Sequence, residues 1–152
     1  MDIFAHTLWT NAGARGANAL AEKNNKKIHV NVGWAAFWGI FPDLFAFTIP
    51  FVIAIYKIIF GDLTLKSFGE HHGAVAGFDL AHYLYQYSHS LVIWVFVFIL
   101  VWIIYKRPRY ELFGWALHIL IDIPSHALSF YPTPFLFPLS DYRFPYGVLW
   151  SN

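Results

Sequence analysis

Twenty-four consecutive residues, "HYLYQYSHSLVIWVFVFILVWIIY" from His82 to Tyr105, contain no Asp, Glu, Lys or Arg. A bilayer core about 30 Å thick is crossed by roughly 20 apolar residues of helix. This run therefore predicts a transmembrane helix. Composition points the same way. Apolar residues make up 58 % of the 152 positions, aromatics 21 % and charged residues 12 %, about half the charged share of a globular protein. Too little polar surface remains to wrap a soluble globule of this size.

Two further stretches suit the bilayer. Ile28 to Phe60 is too long for one simple span and is interrupted by Pro42-Asp43 and Pro50. It divides into a span over 28–47 and a returning or interfacial segment over 50–60. Tyr110 to Phe130, "YELFGWALHILIDIPSHALSF", forms a third span over 110–130 despite its polar residues. Residues 2–22 contain "GARGANALA", whose small side chains suit close helix packing in membranes. They are either a fourth span, with Arg15 snorkelling, or an interfacial helix. The tail over 131–152, rich in Pro and aromatics, is expected to be an irregular cap on the membrane face. The expected fold is thus all-α: one integral-membrane domain over 1–152, a polytopic bundle of three to four transmembrane helices with a Pro/aromatic C-terminal cap.

"KNNKK" (23–27) and "KRPR" (106–109) hold six of the ten basic residues, which places both in the cytoplasm. The segment 61–81, with Asp62, Glu70 and Asp79 against Lys66, belongs on the opposite side. The first residues lack the basic start of a secretory signal, so no cleavage is expected. A net charge of +1 excludes a nucleic-acid binder built on a broad basic face. The absence of cysteine excludes disulfides, thiolate nucleophiles and Cys-based zinc sites.

Ionisable groups inside spans are costly and mark function. Here they are Asp43, His89, His118, Asp122 and His126, joined by His6 if the first helix inserts. Residues at i and i+4 share a helix face, so 118, 122 and 126 form one stripe, with Pro124 turning His126 toward or away from it. At about 1.5 Å rise per residue, Asp43 and Asp122 lie roughly 22 and 18 Å above the cytoplasmic ends of their spans. His89 and His6 lie within about 10 Å of the opposite face. The groups therefore gather toward the extracytoplasmic half.

Each has a plainer reading. A lone intramembrane His is commonly a helix–helix hydrogen-bond partner, Asp43 after Pro42 can cap a broken helix, His71-His72 reads as a solvated pair, and His29 and His82 as interfacial. Together, however, buried carboxylates and imidazoles need a neutralising partner, and the spans offer almost no Lys or Arg. A divalent cation is the economical partner; nitrogen and oxygen ligands suit zinc first, manganese or iron next.

The motifs "FPDLF", "YSHSL", "HILIDIPSH" and "YPTPFLFPLSDYRF" resemble, in order, those of bacterial membrane-bound metal-dependent hydrolases of the LexA-regulated inner-membrane type. The matching positions are His6, Pro42-Asp43, Ser88-His89-Ser90, His118/Asp122, and Thr133-Pro134 with Pro138-Leu139-Ser140. Asp43-Leu44-Phe45 stands where many members carry Asp-x-Asp, and Leu84-Tyr85-Gln86 where some carry His-Arg-Gly, so one possible ligand and one possible phosphate-holding Arg are missing. The resemblance implies an inner-membrane hydrolase with one or two divalent ions on His6, Asp43, His89, His118 and Asp122. Its substrate would be a lipid or lipid-linked ester or phosphoester. His126 is the candidate further ligand or general base, Ser88 or Ser90 would orient ligands, and Arg143 would contact a headgroup. The alternative is a non-enzymatic membrane protein that binds or transports metal.

Overall fold

The computed structural model describes residues 3–61 and 78–148; the His71-His72 pair, Asp62, Lys66 and Glu70 lie outside them. Among the described residues there are five α-helices and no strand: α1 Ile3–Lys23, α2 Val32–Phe60, α3 Phe78–Ser88, α4 Leu91–Tyr105 and α5 Phe113–Ser125, with a 3-10 turn at Tyr110–Leu112 before α5. The all-helical expectation holds.

α2 is the central element and packs on α1, α3 and α5. Its buried residues, Ala35, Gly39, Pro42, Ala46, Pro50 and Ala54, recur every three or four positions, so one face is a small-residue seam that lets other backbones come close. At Gly39 an added Cβ would strike the Thr10 side chain of α1, and at Gly114 it would strike the Ala35 carbonyl. These two glycines set the approach of α1 and α5 to α2.

Three boundaries differ from the sequence expectation. α2 runs unbroken through Pro42 and Pro50, so 50–60 continues the helix instead of returning; each proline removes one backbone donor, which a helix packed among neighbours absorbs. The expected helix over 82–105 is broken at Ser88-His89-Ser90, and α3 and α4 meet at 58°. Ser90 has extended backbone, and its hydroxyl accepts the Ile93 N–H as the N-cap of α4, which starts a new helix there. The expected third span, α5, stops at Ser125 rather than 130, although His126 N–H still reaches the Asp122 carbonyl.

The two basic segments lie at one end of the molecule. Asn18 exchanges two hydrogen bonds with the Val30 backbone, at 2.7 and 2.9 Å, and the Asn31 N–H donates to Glu111 Oε1 at 3.3 Å. The exterior carries large apolar side chains, including Phe4, Trp9, Phe51, Ile55, Phe96 and Trp102. Among the described residues α2 is the one helix long and apolar enough to cross a bilayer, and α3 with α4 qualifies as one bent span. The segment 126–148 contains no helix. It packs on the α3–α4 break, where the Phe135 carbonyl accepts the Leu91 N–H and Ser90 Oγ donates to the Phe137 carbonyl.

Candidate metal centre

α5 presents Gly114, His118 and Asp122 on one buried face, the outcome of four-residue spacing on a helix. That face meets α2 at Gly39 and Asp43, which are again four apart. The break between α3 and α4 delivers His89, and α1 delivers His6. Four parts of the chain thus converge on one small volume.

His118 Nε2 lies 3.2 Å from Asp122 Oδ2 and 3.7 Å from Asp43 Oδ1. His89 Nε2 lies 3.6 and 3.5 Å from the same two oxygens, and the two Nε2 atoms are 3.1 Å apart. A tetrahedral ion with bonds of about 2.0–2.1 Å holds its ligand atoms roughly 3.3 Å apart. Pair by pair, the nitrogen–nitrogen and the four nitrogen–oxygen separations fall around that value, with the two carboxylates in separate three-residue donor groups.

His118 and His89 are each held from behind. His118 Nδ1 is 2.6 Å from the Gly39 carbonyl, an acceptor only, so Nδ1 carries the proton and donates it. In the neutral ring Nε2 then carries a lone pair, which a cation lying between it and the carboxylates could accept. His89 Nδ1 is 2.9 Å from Ser88 Oγ, and its ring stacks on Tyr85 at 3.6 Å. His6 stacks on His118 at 3.7 Å, and its Nε2 is 3.1 Å from Asp122 Oδ1.

No protein-family model, curated protein or solved structure matches this chain. The donor geometry is therefore what speaks for a metal. Two buried groups could hold an ion: His6, His118 and Asp122, and Asp43, His89 and His118. Nitrogen and oxygen atoms aimed at one another, on residues 0–1 % exposed apart from Asp43, match the donor chemistry of a divalent cation. Among the described residues no Lys or Arg pairs with Asp43. Asp43, with its side chain 13 % exposed, is the least buried of the five candidate ligands.

All five sequence-derived ligand candidates, His6, Asp43, His89, His118 and Asp122, are brought together. His126, the C-cap of α5, stands beside them. Its Nδ1 is 3.8 Å from Asp122 Oδ2 and 3.1 Å from the Tyr85 hydroxyl, outside both ion-holding groups. The two serines separate: Ser88 orients His89, whereas Ser90 is spent on the α4 cap and the Phe137 carbonyl. Of the two serines offered for an orienting role, Ser88 is thus the one that reaches a histidine, because the Ser90 hydroxyl is taken up by the Ile93 N–H and the Phe137 carbonyl. Arg143 donates to the adjacent Tyr142 carbonyl at 3.2 Å and has no described contact with the centre. His82 stacks on Tyr131 at 4.5 Å, and His29 is exposed.

Sequence reasoning missed Tyr85 and Gly39. Tyr85 precedes His89 by four residues, the spacing that would have flagged it; its hydroxyl also reaches the Tyr131 carbonyl at 3.1 Å. Gly39 contributes a backbone carbonyl, for which side-chain chemistry leaves no signal.

Proposed function

We propose that this chain is an integral-membrane metal-dependent hydrolase acting on a lipid or lipid-linked ester or phosphoester. The observation that carries the reading is the convergence of two back-bonded histidine Nε2 atoms on two carboxylates in a chain with an apolar exterior. One ion is favoured over two. His118 belongs to both donor groups, but its Nδ1 is committed to Gly39 and it has a single lone pair to give. Zinc is the first choice, with manganese or iron next.

A bound divalent ion here would bring a water's pKa toward neutrality and polarise the substrate's ester oxygen. The protein's part is to hold it. The Gly39 carbonyl fixes His118 in tautomer and direction, the Ser88 hydroxyl holds the direction of the His89 ring, Asp43 and Asp122 balance the charge, and His6 steadies the far oxygen of Asp122. His126, held by Tyr85 next to Asp122, is the residue placed to take up a proton during hydrolysis. Asp43 is the least buried of the five candidate ligands, and a lipid ester would approach there. With both basic segments in the cytoplasm, the centre sits toward the extracytoplasmic side of a bundle of three to four spans in the bacterial inner membrane.

The test is metal content with turnover. Protein purified in mild detergent should carry about one equivalent of transition metal; Asp122→Asn and His118→Ala should lose it. A panel of membrane lipids should yield a product that disappears on chelation and returns on reloading. Wild type that holds no metal after reloading refutes the proposal. Metal without turnover moves the chain to the non-enzymatic class.

A further inference from the structure

A cavity of about 380 Å³ lies at the basic end of the molecule, and none of the five candidate ligands lines it. Its walls are Trp34 and Trp38 from α2, Tyr105 from the end of α4, and Arg109 and Glu111 from the connection into α5. Arg109 holds its guanidinium over the Tyr105 ring, 4.5 Å from the centroid. One oxygen of Glu111 accepts the Asn31 N–H. Although both charges line one cavity, no ion pair joins them among the described residues. Trp34 and Tyr105 are more than half exposed, as aromatics at a membrane–water boundary are.

A cation and an anion held apart in an aromatic-walled cavity call for a ligand with the reverse charges at similar spacing. A guanidinium suits a phosphodiester; a carboxylate flanked by indole faces suits an ammonium. We propose that this cavity binds the headgroup of a zwitterionic aminoethyl phospholipid from the cytoplasmic leaflet, with phosphate on Arg109 and ammonium on Glu111. The assignment rests on the membrane reading above but not on the hydrolase reading. A purely anionic headgroup would leave Glu111 facing negative charge. The apolar side chains of Val101 and Leu112, which complete the lining, suit the glycerol and upper acyl carbons. A lipid seated there would tie α2, α4 and the start of α5 together at one end.

The experiment uses the full chain in mild detergent with lipid retention read by native mass spectrometry. The probes are phosphatidylethanolamine, phosphatidylglycerol, phosphatidylcholine and soluble phosphoethanolamine, and metal content is measured on the same samples. Wild type should retain phosphatidylethanolamine about fivefold over phosphatidylglycerol, the scale of one part-exposed charge pair. Glu111→Gln, which keeps an oxygen for Asn31, should abolish that preference. Arg109→Gln should weaken all three lipids about tenfold, the scale of a charge-assisted hydrogen bond. Unaltered metal content in both variants shows that they are folded. Equal retention of the three lipids by wild type, or variants that behave as wild type, overturns the site. Soluble phosphoethanolamine binding as well as the lipid overturns the lipid assignment. Selective retention by a protein that holds no metal would leave this inference standing while the hydrolase reading falls. Release of the chain from membranes by alkaline carbonate would sink both.

Discussion

Ser88 and Ser90 flank His89, yet removing their hydroxyls should do different things. Ser88 Oγ, 2.9 Å from His89 Nδ1, fixes how the ring presents Nε2. Partners of this outer kind are worth about 10–100-fold in metal affinity. At free metal a hundred times the wild-type dissociation constant, binding stabilises the native state by about 2.7 kcal/mol, and the same concentration stabilises Ser88→Ala by only about 0.4–1.4 kcal/mol. The metal-dependent rise in Tm should shrink by about 3–9 °C for a chain of this length. Ser90 caps α4 by accepting the Ile93 N–H at 3.1 Å, so Ser90→Ala should cost about 1 kcal/mol with or without metal. Melting curves in detergent across a metal titration, alongside titration calorimetry, separate the two. Equal metal-dependent shifts, or wild-type metal affinity in Ser88→Ala, would refute the assignment of these hydroxyls.

Gly114→Ala should separate α5 from α2, because the new Cβ meets the backbone carbonyl of Ala35 and no side-chain rotation relieves it. The expected loss is about 2–4 kcal/mol from overpacking plus the His118–Gly39 hydrogen bond, read as a lower Tm with weakened metal binding. His126→Ala should keep its metal and lose about 10²–10⁴-fold in turnover; loss of metal instead would make His126 a ligand. Metal affinity should fall as pH drops, since each imidazole must be unprotonated to offer Nε2, and calorimetry at several pH values checks this. The chain has no cysteine, so single cysteines placed at Lys26 and Arg107 give a clean topology test. Both should react with an impermeant thiol reagent only from the cytoplasmic side.

His118 and Asp122 were legible because helical spacing alone puts residues four apart on one face. The helix breaks depart from the sequence expectation for a local reason. Pro42 and Pro50 look like breakers, yet the packed seam of α2 absorbs their missing donors. The uncharged run over 82–105 looks continuous, yet Ser90 caps a new helix inside it. Sequence spacing also could not tell Ser88 from Ser90, since their roles depend on which groups face them across the break.

By itself the sequence determined an apolar helical chain with its basic residues collected in two short segments, and a set of imidazoles and carboxylates too costly to leave without partners. Those conclusions follow from composition and from periods set by backbone geometry. Only the tertiary structure decided that His6, Asp43, His89, His118 and Asp122 meet at one point, and that His126 stands beside them on Tyr85. That meeting depends on helix approaches permitted by the missing side chains of Gly39 and Gly114, and on the 58° bend that turns His89 inward. Contacts between residues tens of positions apart arise from packing, which no local pattern encodes.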